Sequence, residues 1–191
     1  MKAAIATEQL TLGQFVEELR RTRSECKDER DMLSRVRRLA PKFALAEGWV
    51  QRKYYEADPE QGFGVHVLHE EPDHTLAVFA VSWLPSRGTP AHDHGTWAVI
   101  VGVDGAEKNA FWERADDRTR PGYAELRKIG EKLADRGDVV AMPTGAIHSV
   151  HNESERVTLS LHVYGKHVNH TERSQFDPAR RTETAFKIRL A

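Results

Sequence analysis

The sequence predicts a mostly β domain, a barrel or sandwich of short strands preceded by α-helices. Three observations predict it. Residues 1–50 carry apolar side chains at helical spacing. From Phe63 onward, short apolar and β-branched runs are punctuated by Gly, Pro and Asp. Two separated stretches, Pro90-Ala91-His92-Asp93-His94-Gly95 and the segment from Gly137 to Asn152, set histidines among turn-forming residues.

The elements follow in order. Thr11 is suited to cap a helix whose buried face is Leu12, Phe15, Val16 and Leu19. A second helix runs through Met32, Leu33, Val36 and Leu39, and Pro41 is expected to end or kink it. A further turn through Phe43, Leu45 and Ala46 would close at Gly48. Strands are predicted around Phe63–Val67 and Leu76–Trp83, with a turn at Pro72-Asp73 between them. Trp97–Gly102 and Ala106–Trp112 read as a hairpin joined at Gly102–Gly105. Residues 113–131 read as a charged, exposed excursion, and strands resume at Leu133. Val139–Met142 and Val157–Tyr164 are further strands, and Phe186–Leu190 is a possible last one. No boundary or fixed-period repeat divides the chain, so residues 1–191 are read as one domain: a helical segment over 1–50, then barrel and tail over 51–191.

Composition excludes several classes of function. A formal net charge of −1, with no long basic run, argues against nucleic acid as a partner. No signal-peptide pattern and no long apolar run is visible, so no membrane association is expected. The one cysteine, Cys26, rules out an intrachain disulfide framework and fits a reducing, cytoplasmic setting.

His92 and His94 lie two apart in a segment that reads as strand, so both side chains are expected on one face. Two imidazoles so placed can share a metal ion if a third ligand arrives from another strand, and His148 is the natural third. The spacing Gly137-x5-Pro143-x-Gly145-x2-His148-x3-Asn152 matches the second motif of the cupin family at every fixed position. The first stretch matches that family's His-x-His and closing Gly105, with Ser86 where the opening glycine stands. The resemblance implies a cupin double-stranded β-helix barrel, a jelly roll. The glutamate ligand usual in cupins is missing, because Ala98 or Val99 takes its position. Three neutral imidazoles would leave a divalent ion its full charge and open positions for an anionic substrate and a small molecule such as dioxygen.

On a strand, Ser160, His162 and Tyr164 share one face, opposite Leu159, Leu161 and Val163. Three polar side chains inside a barrel need partners, and a Ser–His–Tyr hydrogen-bonded chain would satisfy them. That chain either orients the tyrosine hydroxyl near a metal or simply satisfies the core. It is no hydrolase triad, because the Gly-x-Ser-x-Gly elbow is absent.

Ser160-x-His162-x-Tyr164, taken with His92-x-His94, Gly95-Thr96-Trp97 and His148, resembles the cysteine dioxygenase family of thiol dioxygenases, and within it the bacterial branch that includes 3-mercaptopropionate dioxygenase. The resemblance covers roughly residues 50–180. It implies ferrous iron, Fe(II), held by His92, His94 and His148, an outer triad of Ser160, His162 and Tyr164, and oxidation of a small thiol by O2 to its sulfinate. Arg173 stands where that branch pairs an arginine with the substrate carboxylate; a surface ion pair is the alternative. Trp97 reads as pocket wall or as core. The family's early-strand arginine or glutamine is replaced by Val65, with Gln61 and His66 as neighbours. The cysteine–tyrosine crosslink of some members is not expected, since Cys26 lies among the helices. Two other readings stand beside this one: a cupin isomerase or lyase using its metal as Lewis acid, and a non-catalytic ligand-binding cupin.

Overall fold

A computed structural model describes residues 9–191, so the first eight residues of the predicted helical segment lie outside it. The two predicted helices are α1 (Leu12–Glu25) and α2 (Glu29–Ala44). Thr11 caps α1 as expected and closes a reciprocal capping box with Gln14. Asp28 caps α2 by accepting from the Asp31 N–H at 2.8 Å. Pro41 does not end α2. It falls in the last turn, where only the bond to the preceding turn is lost, and the helix runs on to Ala44. The Trp49 indole N–H then donates to the open Ala44 carbonyl at 3.1 Å.

Eleven strands follow: β1 (Phe63–Glu70), β2 (Thr75–Trp83), β3 (Ala91–His92), β4 (Ala98–Asp104), β5 (Glu107–Arg114), β6 (Leu126–Ala134), β7 (Val139–Met142), β8 (Ile147–His151), β9 (Thr158–Lys166), β10 (Ser174–Asp177) and β11 (Thr182–Ala185). They form a five-stranded sheet in the order β1-β2-β9-β4-β7 and a six-stranded sheet in the order β11-β10-β3-β8-β5-β6. The ladders between strands are antiparallel. This is the predicted mostly β jelly roll, two antiparallel sheets with helices at the N-terminus.

The helices lie on the outer face of the five-stranded sheet, so that sheet is buried on both sides. Alternation sorts its residues between two cores. Leu76, Val78 and Ala80 of β2, Val99 and Val101 of β4, and Leu159, Leu161 and Val163 of β9 pack with Phe15, Leu19, Val36 and Phe43 of the helices. Ala77, Phe79, Val81 and Trp83, then Ala98 and Ile100, then Tyr164, face the barrel interior. Burial on both faces explains why β2 is unbroken apolar sequence from Leu76 to Val81. Each fully buried Phe or Leu under the helices contributes about 1.5–3 kcal/mol relative to exposure.

Two expectations for the outer sheet need correction. Residues 113–131 are not all excursion: β5 continues to Arg114, and β6 begins at Leu126 and pairs with it along its length. β6 is an edge strand, exposed along most of its length, so no alternation marks it. The intervening loop is held by Arg114, which bonds Asp116 at 2.8 and 3.1 Å and Glu183 at 2.8 Å. The last strand is Thr182–Ala185, not Phe186–Leu190. Residues 186–190 instead run as a strap across the open end of the barrel. Asn169 pins Ile188 in both directions, at 2.9 and 3.1 Å, and the Ala191 N–H reaches the Val65 carbonyl at 2.9 Å.

Among the described residues, no helix is long and apolar enough to cross a membrane.

Candidate metal centre

Motif residues with no ligand role shape the backbone around the histidines. Ser86, in place of a glycine, adopts a left-handed φ of +58°, the conformation a glycine would hold freely. Gly105 turns the β4–β5 hairpin at φ +77°, and a Cβ there would lie 2.6 Å from Thr158 Cγ2. Asn152 ties the two stretches together. Its amide donates to the Trp83 carbonyl at 3.0 Å and the Arg156 carbonyl at 2.7 Å, while the Ser86 N–H donates to the Asn152 carbonyl at 2.9 Å.

β3 is shorter than the sequence suggests and ends at His92, so His94 sits on the turn beyond it. The two rings still converge, their centroids 5.0 Å apart, and Gly95 turns the chain away after them at φ +62°. His92 pairs across the sheet with His148 of β8. His92, His94 and His148 are each at most 4% exposed, and their ligand atoms all lie within 4.8 Å of one another.

The hydrogen-bond pattern decides what this cluster fits. His92 Nδ1–H donates to the Pro90 carbonyl at 2.9 Å, and His148 Nδ1–H donates to Asn109 Oδ1 at 3.1 Å. Asn109 is oriented by donating its own amide to the Glu107 carbonyl at 3.4 Å. Both Nε2 atoms are therefore left as bare lone pairs facing inward. Burial, reinforced by neighbouring charge, holds all three imidazoles neutral; His148 is driven down to about 3. His148 Nε2 lies only 3.3 Å from His94 Nε2. Two ligand nitrogens at ~2.1 Å from one ion are ~3.0–3.4 Å apart, so the spacing suits a shared divalent cation. The residues fit a three-histidine metal site.

A second group, Glu70, His74 and His170, also gathers potential ligands. Its geometry is different. The His74 and His170 rings are stacked 3.5 Å apart with planes only 8° from parallel, so one ion cannot lie in the plane of both. His74 Nδ1 already donates to Glu70 Oε1 at 2.7 Å. This cluster reads as a hydrogen-bonded surface patch.

One cavity joins the triad to His162, Tyr164 and Arg173, while two predicted residues, Ser160 and Trp97, do not line it. Its wall includes His92, His94, His148, His162, Tyr164, Arg173 and Val65. The predicted Ser–His–Tyr chain is present: Ser160 Oγ lies 2.9 Å from His162 Nε2, and His162 Nδ1 lies 2.8 Å from the Tyr164 hydroxyl. Burial lowers His162 to about 3 and raises the Tyr164 phenol above its ordinary value, so both are neutral at pH 7. Arg173 is 4% exposed rather than a surface residue. Its Nε donates to the Phe186 carbonyl at 3.1 Å, its guanidinium stacks 4.3 Å over the Phe186 ring, and its Nη2 is buried without a partner.

Trp97 faces elsewhere. It packs against the helix-side core, on the far face of the five-stranded sheet from the triad, and does not line the cavity. It lies one residue before Ala98, whose side chain faces the interior, and strand alternation turns it the other way. Val65 does line the cavity, whereas His66 turns away to the Glu56 carbonyl at 2.9 Å and Gln61 is bound to the Phe63 and Arg189 carbonyls. Cys26 is in the helical layer, with its sulfur 4.0 Å from that of Met32.

Sequence reasoning missed Glu107, Asn109 and the strap residues Phe186 and Ile188. A Glu and an Asn at the start of a return strand carry no local mark, and the strap is recognisable only once the barrel has an open end.

No protein-family model matches the chain. Solved structures similar to it include an oxalate oxidase in complex with the substrate analogue glycolate, at 16% identity and TM-score 0.46, covering 61% of this chain and 59% of that one. The DMSP lyase DddQ from Ruegeria pomeroyi is similar at 20% identity and TM-score 0.41, over 62% of this chain and 53% of that one. The Cupin_2 domain of an XRE family transcriptional regulator from Enterobacter cloacae is similar at 15% identity and TM-score 0.40, over 56% of this chain and 99% of that domain. This chain thus spans about three-fifths of the oxalate oxidase it matches.

Proposed function

We propose that the protein is a thiol dioxygenase, in which Fe(II) held by His92, His94 and His148 supports oxidation of a small thiol carboxylate by O2 to the sulfinate. The observation that carries this reading is one cavity wall shared by the three neutral imidazoles, the Tyr164 hydroxyl and the unpaired Nη2 of Arg173. The reaction R–SH + O2 → R–SO2H balances without a further reductant, since sulfur loses the four electrons that O2 gains. Ferrous iron, when bound, would supply the electron-transfer chemistry that triplet O2 needs. The chain's own residues supply the rest. A buried guanidinium with a free N–H group suits a substrate carboxylate and disfavours water alone. Tyr164, neutral and oriented through His162, offers an O–H to the reacting atoms. Around them the wall is apolar, including Phe63, Val65, Phe79 and Ile188, so a substrate ammonium finds no anion there. The favoured substrates are thiol carboxylates such as 3-mercaptopropionate or mercaptosuccinate, ahead of cysteine.

The test is oxygen uptake by iron-loaded protein with these three thiols, using 18O2. The expected product carries two labelled oxygens and forms at one O2 per thiol. No uptake with any thiol would overturn the reading.

Tyr164→Phe bears on the same chemistry. It should keep its iron and a near wild-type KM while kcat falls about ten- to a hundredfold, the effect of losing one positioned donor worth about 1.5–3 kcal/mol. Steady-state kinetics beside an iron assay check this, and wild-type kcat would remove Tyr164 from the mechanism.

A further inference from the structure

The Ser–His–Tyr chain does not stop at Ser160. Glu107 opens β5 in the six-stranded sheet, yet its side chain is only 3% exposed and points across to the five-stranded sheet. There Thr158 Oγ1 donates to Glu107 Oε1 at 3.3 Å, and the Ser160 hydroxyl and Trp83 indole are the other groups that act on the carboxyl. The Trp83 indole N–H also lies 3.3 Å from Ser160 Oγ. A buried carboxyl with no cation beside it is an unusual group to retain, and the proposed mechanism leaves it without a task.

The chain has two proton arrangements. With Glu107 as carboxylate, Ser160 O–H donates to it, His162 Nε2–H donates to Ser160 Oγ, and the Tyr164 O–H donates to His162 Nδ1. With Glu107 as carboxylic acid, its O–H donates to Ser160 Oγ, Ser160 O–H donates to His162 Nε2, and His162 Nδ1–H donates to the Tyr164 oxygen. The Tyr164 proton is then free to point into the cavity. The two forms differ by the single proton on Glu107, and His162 is neutral in both.

We propose that Glu107 is a positioning residue whose protonation, relayed through Ser160 and His162, sets whether the Tyr164 hydroxyl donates into the metal cavity or back to His162. The catalytic consequence rests on the thiol dioxygenase reading; the switch itself does not.

Burial pushes the Glu107 carboxyl up to about 8, with the three donors opposing part of that rise. The acid form therefore holds at neutral pH, and the donating form of Tyr164 is lost as pH rises through about 8. No charged group among these partners competes for control. From β2 and β9 the carboxyl meets the uncharged Trp83, Thr158 and Ser160. Lys108, next to it on β5, is turned to Glu153 at 2.9 Å, and Arg156 is paired with Asp104 at 2.9 Å.

The decisive measurement is the His162 ring tautomer, read by 15N spectra of zinc-loaded full-length protein labelled at histidine, with His162→Asn assigning the signal. Wild type should carry the ring proton on Nδ1 at pH 6.5 and on Nε2 at pH 9.5. In Glu107→Gln the amide donates to Ser160 permanently, so Nδ1–H should persist throughout. Ser160→Ala cuts the relay with Glu107 intact and should also abolish the switch. A wild-type tautomer that ignores pH, or a switch that survives in either variant, would overturn the proposal. In turnover, wild-type kcat at saturating thiol should fall about tenfold from pH 7 to pH 9, against a ratio near one in Glu107→Gln. Failure of the dioxygenase reading would appear as absent oxygen uptake and would leave the spectra unchanged.

Discussion

His148→Ala is expected to purify with less than about a tenth of the wild-type iron and to lose thiol oxidation by at least about a thousandfold. The reason is geometric. His148 stands at the middle of the site: it faces His92 across the sheet and brings its Nε2 to 3.3 Å from that of His94. Removing it leaves two imidazoles, and second-sphere orientation by Asn109 then has nothing to orient. His92→Ala and His94→Ala should behave alike, because each takes one of three ligands from a site that has no carboxylate in reserve. The fold should survive. The helix-side core does not involve these residues, and three inward lone pairs do not stabilise one another without a cation. Metal analysis of the three variants, with thermal melts in chelator to compare the metal-free folds, checks this. His74→Ala serves as the contrast and should keep its iron, since the stacked His74–His170 pair cannot direct two lone pairs at one ion. Full iron in all three triad variants would remove the metal assignment.

Arg173→Met should lower kcat/KM for 3-mercaptopropionate and mercaptosuccinate about ten- to a hundredfold, and lower it much less for 2-mercaptoethanol. The guanidinium is buried, and burial brings it down to about 10, which still leaves it charged at pH 7. One of its nitrogens has no partner, so a substrate carboxylate would gain a charge-assisted bond worth about 1.5–3 kcal/mol. Removing the charge costs that bond for carboxylates only. It also removes a buried cation whose desolvation outweighs the attraction of Asp93, so the unliganded variant should be as stable as wild type or more so. Met keeps the aliphatic bulk against Phe186. The two measurements separate recognition from folding: an equal fall for charged and uncharged thiols, together with a lower melting temperature, would make Arg173 a structural residue. A strong preference for cysteine would show that the apolar wall around Val65 accommodates an ammonium after all.

What the sequence determined by itself was local and periodic. Two helical faces, the alternating strand Ser160–Tyr164, and turn residues at fixed distances from His148 were legible because each is written within a few residues. From those, a mostly β barrel or sandwich, the three histidines and the Ser–His–Tyr chain followed before any coordinates, and the resemblance carried by the histidine motifs implied the jelly roll. Pairing between distant strands decided the rest. Trp97 belongs to the helix-side core because the five-stranded sheet is covered on both faces, so being apolar does not tell a strand residue which side it is on. β6 went unseen because an edge strand needs only one neighbour and no buried face. Glu107 resembles a surface glutamate until β5 and β9, from opposite sheets, bring it against Thr158 and Ser160. Its burial, and with it the proton it holds, exists only where the two sheets meet.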